Sequence, residues 1–211
     1  GISNLSQKDI SYAEELGYKI KLLGIAKSQN ADVEIRVHPT LVPKNRLVAN
    51  VDGAMNAVLV HGNMVGPTLY YGAGAGAEPT ASAVVADVID IARQTKLSQD
   101  TLIPSLGFMP DKINEKNILS IENIFSEYYL RFTMKNQAGL LAKITNIFAD
   151  HDISINSMVH KEVQENNQNP DIFLITSKTK EADIDIIISE IELLPENTEK
   201  VVKIRTEELN K

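Results

Sequence analysis

Three alternating glycines, Gly72, Gly74 and Gly76, form the segment whose residue types are best suited to bind a ligand. They follow an apolar run that predicts a strand, and they precede residues 81–93, whose apolar spacing predicts a helix. Without a Cβ, backbone N–H groups can approach a ligand closely, and the helix directs its positive end at the loop. Thr80 is a residue type that caps helices. The segment therefore predicts either an anion-binding loop or a tight structural turn.

The pattern GxGxxA over residues 72–77 matches the fingerprint of dinucleotide-binding folds, but its surroundings argue against such a fold. A dinucleotide-binding unit needs a second parallel strand soon after the helix, ending in an acid that holds the ribose. Here the predicted helix is followed by Pro104, Gly107 and Pro110, and no strand pattern there ends in Asp or Glu. The loop is therefore not expected to open an ordinary dinucleotide-binding domain.

A second candidate site lies further along the chain, where Asn136-Gln-Ala-Gly139 separates a predicted strand from a predicted helix. Gly139 would open a helix whose free N–H groups suit a carboxylate, and Asn136 offers both a donor and an acceptor. These properties fit a small zwitterion. The alternative is that Gly139 only begins the helix and the domain only dimerises.

Other reactive side chains are sparse. The chain has no cysteine, which excludes disulfides and thiolate chemistry and suits a reducing cytoplasm. The histidines, His38, His61, His151 and His160, lack the spacing of metal ligands and are expected in turns or on the surface. We therefore expect no metal site and assign no catalytic residue within the chain.

Charge and composition exclude two further classes of function. The net charge of -7 comes from interleaved acids and bases without a basic cluster, so nucleic-acid binding is not expected. No apolar run approaches the roughly 20 residues that span a bilayer, and no signal-peptide pattern opens the chain. Gly1 stands where an initiator Met would be, so a processed or cut chain is the expectation.

The first half has a recognisable order of elements. A helix is expected to start at Ser6, with Asp9 in capping-box spacing. Residues 32–38 alternate as a half-buried strand with Val33, Ile35 and Val37 on one face, and residues 39–46, with two prolines, are expected to be loop or sheet edge. Two apolar runs, residues 54–60 and 65–71, predict a hairpin.

The second half predicts strand, helix, strand, strand, helix, strand, a ferredoxin-like βαββαβ order. The corresponding residues are 128–134, 139–150, 153–163, 171–178, 181–194 and 201–205, with a polar turn at 164–170. The fold class is thus α+β, with a mixed or antiparallel sheet and helices followed by the ferredoxin-like domain. We divide the chain into residues 1–110, a linker at 111–127, and a second domain at 128–211.

Several motifs of the first half resemble the rear of homoserine dehydrogenase catalytic domains. They are Val37-His-Pro-Thr-Leu-Val-Pro43, Asn56-Ala-Val58, and Tyr71-Gly-Ala-Gly-Ala-Gly-Ala-Glu-Pro-Thr-Ala-Ser-Ala-Val84. The resemblance covers about the first 95 residues and implies NAD(P)-dependent interconversion of homoserine and aspartate semialdehyde. It places Gly74, Ala75, Gly76 and Thr80 along the cofactor. It also implies that the nucleotide-binding domain and the catalytic lysine precede this chain, which we therefore expect to be inactive alone.

The second half resembles an ACT regulatory domain. The motifs are Tyr129-Leu-Arg-Phe-Thr-Met-Lys-Asn-Gln-Ala-Gly-Leu-Leu-Ala-Lys-Ile144 and His151-Asp-Ile-Ser-Ile-Asn156, with Ala138 where the family usually has proline. The resemblance implies side-by-side pairing in a homo-oligomer, a dimer or tetramer, that also uses the catalytic-domain sheet. It implies an amino-acid effector, threonine being expected, at a site lined by Asn136, Ala138, Gly139, Leu140 and Ser154. The alternative is a free-standing amino-acid sensor without catalysis.

Overall fold

The computed structural model describes residues 5–29, 32–96, 104, 106–161 and 169–209. The chain divides into two compact units. The first joins the described residues up to Ala49 with those from Asn117 onward, and the second runs from Asn50 to Lys116. The predicted division at residues 110 and 128 stays a prediction.

The elements are numbered in chain order. The helices are α1 (Gln7–Glu15), α2 (Ala77–Gln94), α3 (Leu140–Asp150) and α4 (Glu181–Glu192). The strands are β1 (Tyr18–Gln29), β2 (Asp32–Pro43), β3 (Met55–Gly62), β4 (Gly66–Ala73), β5 (Asn117–Ile118), β6 (Phe125–Ser126), β7 (Tyr128–Thr133), β8 (Ile155–Lys161), β9 (Asp171–Thr176), β10 (Thr179–Lys180) and β11 (Val202–Thr206). Short 3-10 turns occupy Leu47–Asn50, Pro110–Lys112 and Ile121–Asn123.

The main sheet of the first unit has the order β1-β2-β11-β7-β9-β8, with β5 beside β2. Apart from the two-residue strand β10, which pairs with β6 in a separate sheet, the elements from β7 to β11 follow the βαββαβ order expected from the sequence, and the α+β class is confirmed. The hairpin of β1 and β2 extends this sheet, because β11 pairs with β2 in parallel. The far end of the predicted strand 153–163 and most of the turn at 164–170 lie outside the described residues.

Alternation along the central strands gives the sheet two apolar faces. Leu130 and Phe132 of β7 are fully buried together with Ile144 of α3 and Ile187 of α4. The other face is covered by α1, whose Ala13 belongs to a second core cluster. Each large side chain buried in this way contributes about 1.5–3 kcal/mol.

The start of α1 follows the predicted capping box. The Asp9 N–H donates to Ser6 Oγ at 3.2 Å, and the Ser6 N–H donates to Asp9 Oδ2 at 3.2 Å. After α1 the chain turns at Gly17, whose φ of +86° favours glycine, and it enters β1.

Among the described strands, both prolines of β2 pair with β1 only, which fits the expected sheet edge and not the expected loop. The strand does not end before the prolines but pairs with β1 as far as Pro43. Pro39 is tolerated within it because it lies between two short pairings on the other side, with β5 near Asp32 and with β11 near Thr40.

The buried face of β2 is the polar one. Ile35 and Val37 are 53% and 72% exposed, whereas the side chains of Glu34, Arg36 and His38 are buried. The charges neutralise one another, since Arg36 Nε lies 3.0 Å from Glu34 Oε1 and a second nitrogen of Arg36 donates to Glu207 at 2.7 Å. His38 is therefore not the surface or turn residue expected from the sequence.

The second unit contains the predicted hairpin of β3 and β4, followed by α2. The helix begins at Ala77, four residues earlier than predicted, so Thr80 is not its cap. The Thr80 N–H instead donates to the Gly76 carbonyl at 3.1 Å, inside the first turn. No residue of α2 is buried, and the stripe that includes Val84 and Val88 is exposed. In the described part of the chain, no helix is both long and apolar enough to cross a membrane.

Candidate effector pocket and glycine loop

A pocket of about 170 Å³ lies where the loop after β7 meets the start of α3 and the far end of β8. Its walls are formed by the following residues: Asn136, Gln137, Gly139, Leu140, Leu141, Ala142 and His160. Several of these belong to the first turn of α3, where N–H groups have no partner within the helix. The pocket therefore offers donors and a positive helix end to a small anionic group.

The loop geometry depends on Gly139. Its φ of +84° is a left-handed conformation, which a residue with a Cβ adopts only with strain. The Leu140 N–H then donates to the Gln137 carbonyl at 3.2 Å, and the regular helical bonds begin with Lys143, which donates to Gly139 at 3.0 Å. The glycine thus turns the chain sharply from the loop into α3.

The sequence analysis missed four residues of the pocket wall, Gln137, Leu141, Ala142 and His160, of which His160 is the one from outside the loop and α3. It lies in β8 opposite Ile172, and alternation puts it on the same face as Met158, which packs against the core beneath α3. That alternation could have assigned His160 to the face of the sheet that α3 covers, but not to the start of α3. Its imidazole adds a polar group that can donate or accept at the mouth of the pocket.

The structure brings together part of the predicted effector site. Asn136, Gly139 and Leu140 line the pocket, whereas Ala138 lies in the same loop but is not part of the wall. Ser154 precedes β8, six residues from His160, which corresponds to roughly 20 Å of strand. Within one chain Ser154 therefore lies at the other end of the strand.

The glycine loop of the second unit has a different geometry at each position. The Gly74 N–H donates to the Ala54 carbonyl at 3.0 Å, and a Cβ built at position 74 would come within 1.5 Å of Asn56 Nδ2. Gly76 has a φ of +125° and precedes the first turn of α2. Packing therefore explains Gly74, and backbone conformation explains Gly76.

The backbone of this loop is nevertheless open to a ligand. Residues 72–80 are all exposed, and a Cβ built at Gly72 would meet no atom within 4 Å. The 18-residue helix α2 presents its positive end beside Gly76. A surface of small residues at a helix N-terminus fits one wall of a dinucleotide contact.

The βαββαβ elements of the first unit have the fold of an ACT domain. The family model of the ACT domain matches residues 128–196. The family model of homoserine dehydrogenase matches residues 1–89. The chain belongs to the homoserine dehydrogenase family, as the motifs of its sequence indicated.

Relatives from several bacteria support this assignment. The chain is 46% identical over its whole length to homoserine dehydrogenase of Pseudomonas aeruginosa and 47% identical to that of Neisseria gonorrhoeae, covering 48% of each. The crystal structure of a homoserine dehydrogenase from Thiobacillus denitrificans matches all of the chain with a TM-score of 0.89 and 52% identity, over 47% of that protein. The chain spans about half the length of these relatives.

Proposed function

We propose that this chain forms part of an NAD(P)-dependent dehydrogenase that interconverts L-homoserine and L-aspartate 4-semialdehyde. The reaction would belong to the biosynthesis of threonine, methionine and isoleucine. The observation that carries the proposal is the match of the whole chain to a solved homoserine dehydrogenase at a TM-score of 0.89. That match includes the segment before residue 128, which a free-standing amino-acid sensor would not need. We further propose that the protein acts in the cytoplasm.

In this proposal the glycine loop forms one wall of the cofactor site. Gly74, Ala75 and Gly76 would lie along the cofactor with their backbone, and Thr80 would stand in the first turn of the helix behind them. The bound nicotinamide supplies the hydride acceptor or donor. These residues would let the backbone approach the cofactor closely and would present the positive end of α2 to it. They would take no part in proton transfer.

Acid–base catalysis would use residues outside this chain, which spans about half the length of its relatives. We therefore expect the chain alone to turn over no homoserine. Joining it to the preceding half of the Pseudomonas aeruginosa relative, which is 46% identical over the matched region, tests the assignment. The chimera should reduce NAD⁺ or NADP⁺ when homoserine is added.

Two outcomes would contradict the proposal. One is measurable turnover of homoserine by the chain alone. The other is a chimera that is folded by circular dichroism but inactive, while the intact Pseudomonas aeruginosa enzyme is active in the same assay.

For the ACT domain we propose binding of a free amino acid, with threonine as the expected effector and a homo-oligomer as the functional state. The pocket at the start of α3 supports this, because it combines Asn136 and His160 with a helix N-terminus. Its small volume suits an amino acid better than a nucleotide. Side-by-side pairing of two copies would bring additional groups to the same pocket.

A further inference from the structure

Helix α1 covers the face of the ACT sheet opposite to α3 and α4. Tyr12 stacks on Phe173 of β9 with ring centroids 4.3 Å apart and planes 13° from parallel. Ala13 is 1% exposed and packs in the same cluster as Tyr129 of β7. A helix from the segment that matches the dehydrogenase model is thus packed directly on the regulatory sheet.

Buried charges fix this helix to β7. Asp9 of α1 is completely buried and accepts a hydrogen bond from Arg131 Nε at 2.6 Å and one from the Tyr129 hydroxyl at 3.1 Å. Removing one member of a buried ion pair leaves the other charge uncompensated, so such pairs resist separation. Helix α1 is therefore bound to β7 through specific polar contacts as well as apolar packing.

A second group of polar contacts fixes α1 to β9. Asp171 of β9 is also completely buried and accepts from Lys8 Nζ and from the Tyr12 hydroxyl, each at 3.1 Å. Thr133 of β7 donates to the other oxygen of the same carboxylate at 2.7 Å. A displacement of β9 would thus strain the contacts of α1.

Strand β8 contacts the pocket on one face and α1 on the other. His160 lines the pocket, and the next residue, Lys161, pairs with Glu15 at the end of α1. The Lys161 ammonium also lies 5.2 Å from the ring centre of Tyr12. Neighbouring residues of a strand point to opposite faces, so one strand touches both the effector pocket and the helix.

The end of α1 is in turn attached to the hairpin of β1 and β2. The Lys44 N–H donates to the Gly17 carbonyl at 2.9 Å, and Lys44 Nζ donates to the Glu14 carbonyl at 2.7 Å. A shift of α1 would therefore act on the open end of this hairpin, where β1 begins and β2 ends, and the chain continues from there to Asn50.

We propose that β8 and α1 form the link by which the effector pocket is coupled to the dehydrogenase segment, with Lys161 as the contact residue. The coupling rests on the proposed effector function, but the contacts between β8 and α1 are present without ligand. Lys161, Glu15 and Tyr12 join the two elements at the periphery, while Asp9 and Asp171 hold the helix in place.

Hydrogen–deuterium exchange of the ligand-free chain tests the link. Glu15→Gln and Lys161→Gln should each raise the exchange rate of both α1 and residues 155–161 by about 1.5- to 5-fold, the range expected for a partly exposed ion pair. Glu14→Gln removes the same charge one residue away and should change neither segment. Faster exchange confined to α1, or no change in either segment, would overturn the proposal.

A titration with L-threonine separates this inference from the effector assignment. Because the link requires that filling the pocket changes the strength of the Glu15–Lys161 pair, Glu15→Gln should change the affinity for threonine, by up to about 5-fold. Equal affinity in Glu15→Gln and the parent chain would refute the coupling. If the parent chain binds no threonine, the effector assignment fails, and the exchange experiment still decides whether α1 and β8 are linked.

Discussion

At the scale of single residues, Glu181 is a buried carboxylate of the first unit that accepts hydrogen bonds from three side chains. It begins α4 and accepts hydrogen bonds from Tyr128 at 2.7 Å, from Lys203 at 2.5 Å and from Arg205 at 2.7 Å. Burial alone would raise the pKa of Glu181, but the bonds from Arg205, Lys203 and Tyr128 outweigh it and lower the pKa to about 2. Folding therefore favours the charged form of this residue.

This shift predicts acid sensitivity. A lowered folded-state pKa contributes stability that is present above the unfolded value of about 4.5 and is lost as the pH falls towards 2. The free energy of unfolding of the parent chain should exceed that of Glu181→Gln by roughly 2 to 3 kcal/mol near pH 6. Urea denaturation between pH 6 and pH 2.5 should show the difference shrinking, and a constant difference would contradict the prediction.

The sequence predicted part of the candidate site at this scale. Asn136 and Gly139 were found because the chain passes there from an alternating strand into a helix, and glycine and asparagine are recognisable at such junctions. His160 was missed because it is distant along the chain and only sheet pairing brings β8 beside α3. His38 was misplaced because the burial of a polar strand face depends on partners contributed by β11 and its flanks.

At the scale of elements, the βαββαβ order was predictable because each element has its own apolar periodicity. The continuation of this sheet into the hairpin of β1 and β2 could not be predicted. The parallel pairing of β2 with β11 joins segments more than 150 residues apart. Such pairing depends on tertiary packing, which has no local signal in the sequence. The same reason explains why α1, predicted correctly as a helix, could not be assigned to the regulatory sheet.

The start of α2 supplies a test at this scale. Gly76 has a φ of +125° and a ψ of 150°, a region open almost solely to glycine, so Gly76→Ala should destabilise the start of the helix by about 1–3 kcal/mol. Gly72→Ala is the matched control, because a Cβ there meets no atom and the backbone has no positive φ. Hydrogen exchange of residues 77–82 measures the local stability of the helix start in both variants. Equal effects of Gly76→Ala and Gly72→Ala would contradict the conformational role of Gly76.

At the scale of the whole molecule, the two units differ in how completely they are packed. The first has two buried apolar clusters, one on each side of its sheet. In the second, α2 has no buried residue, and Val58, Tyr70 and Val85 are all more than half exposed. An apolar stripe that faces water adds little to the stability of a helix.

We propose above that the pocket at the start of α3 binds an amino acid. Isothermal titration calorimetry of the chain with L-threonine measures this most directly. We predict saturable binding that Asn136→Ala weakens by about tenfold or more, the loss expected for a hydrogen-bonding group at a small ligand. Asn146→Ala, at an exposed position further along α3, should leave the affinity unchanged. Absence of heat with the parent chain, or equal affinities for Asn136→Ala and the parent, would contradict the account.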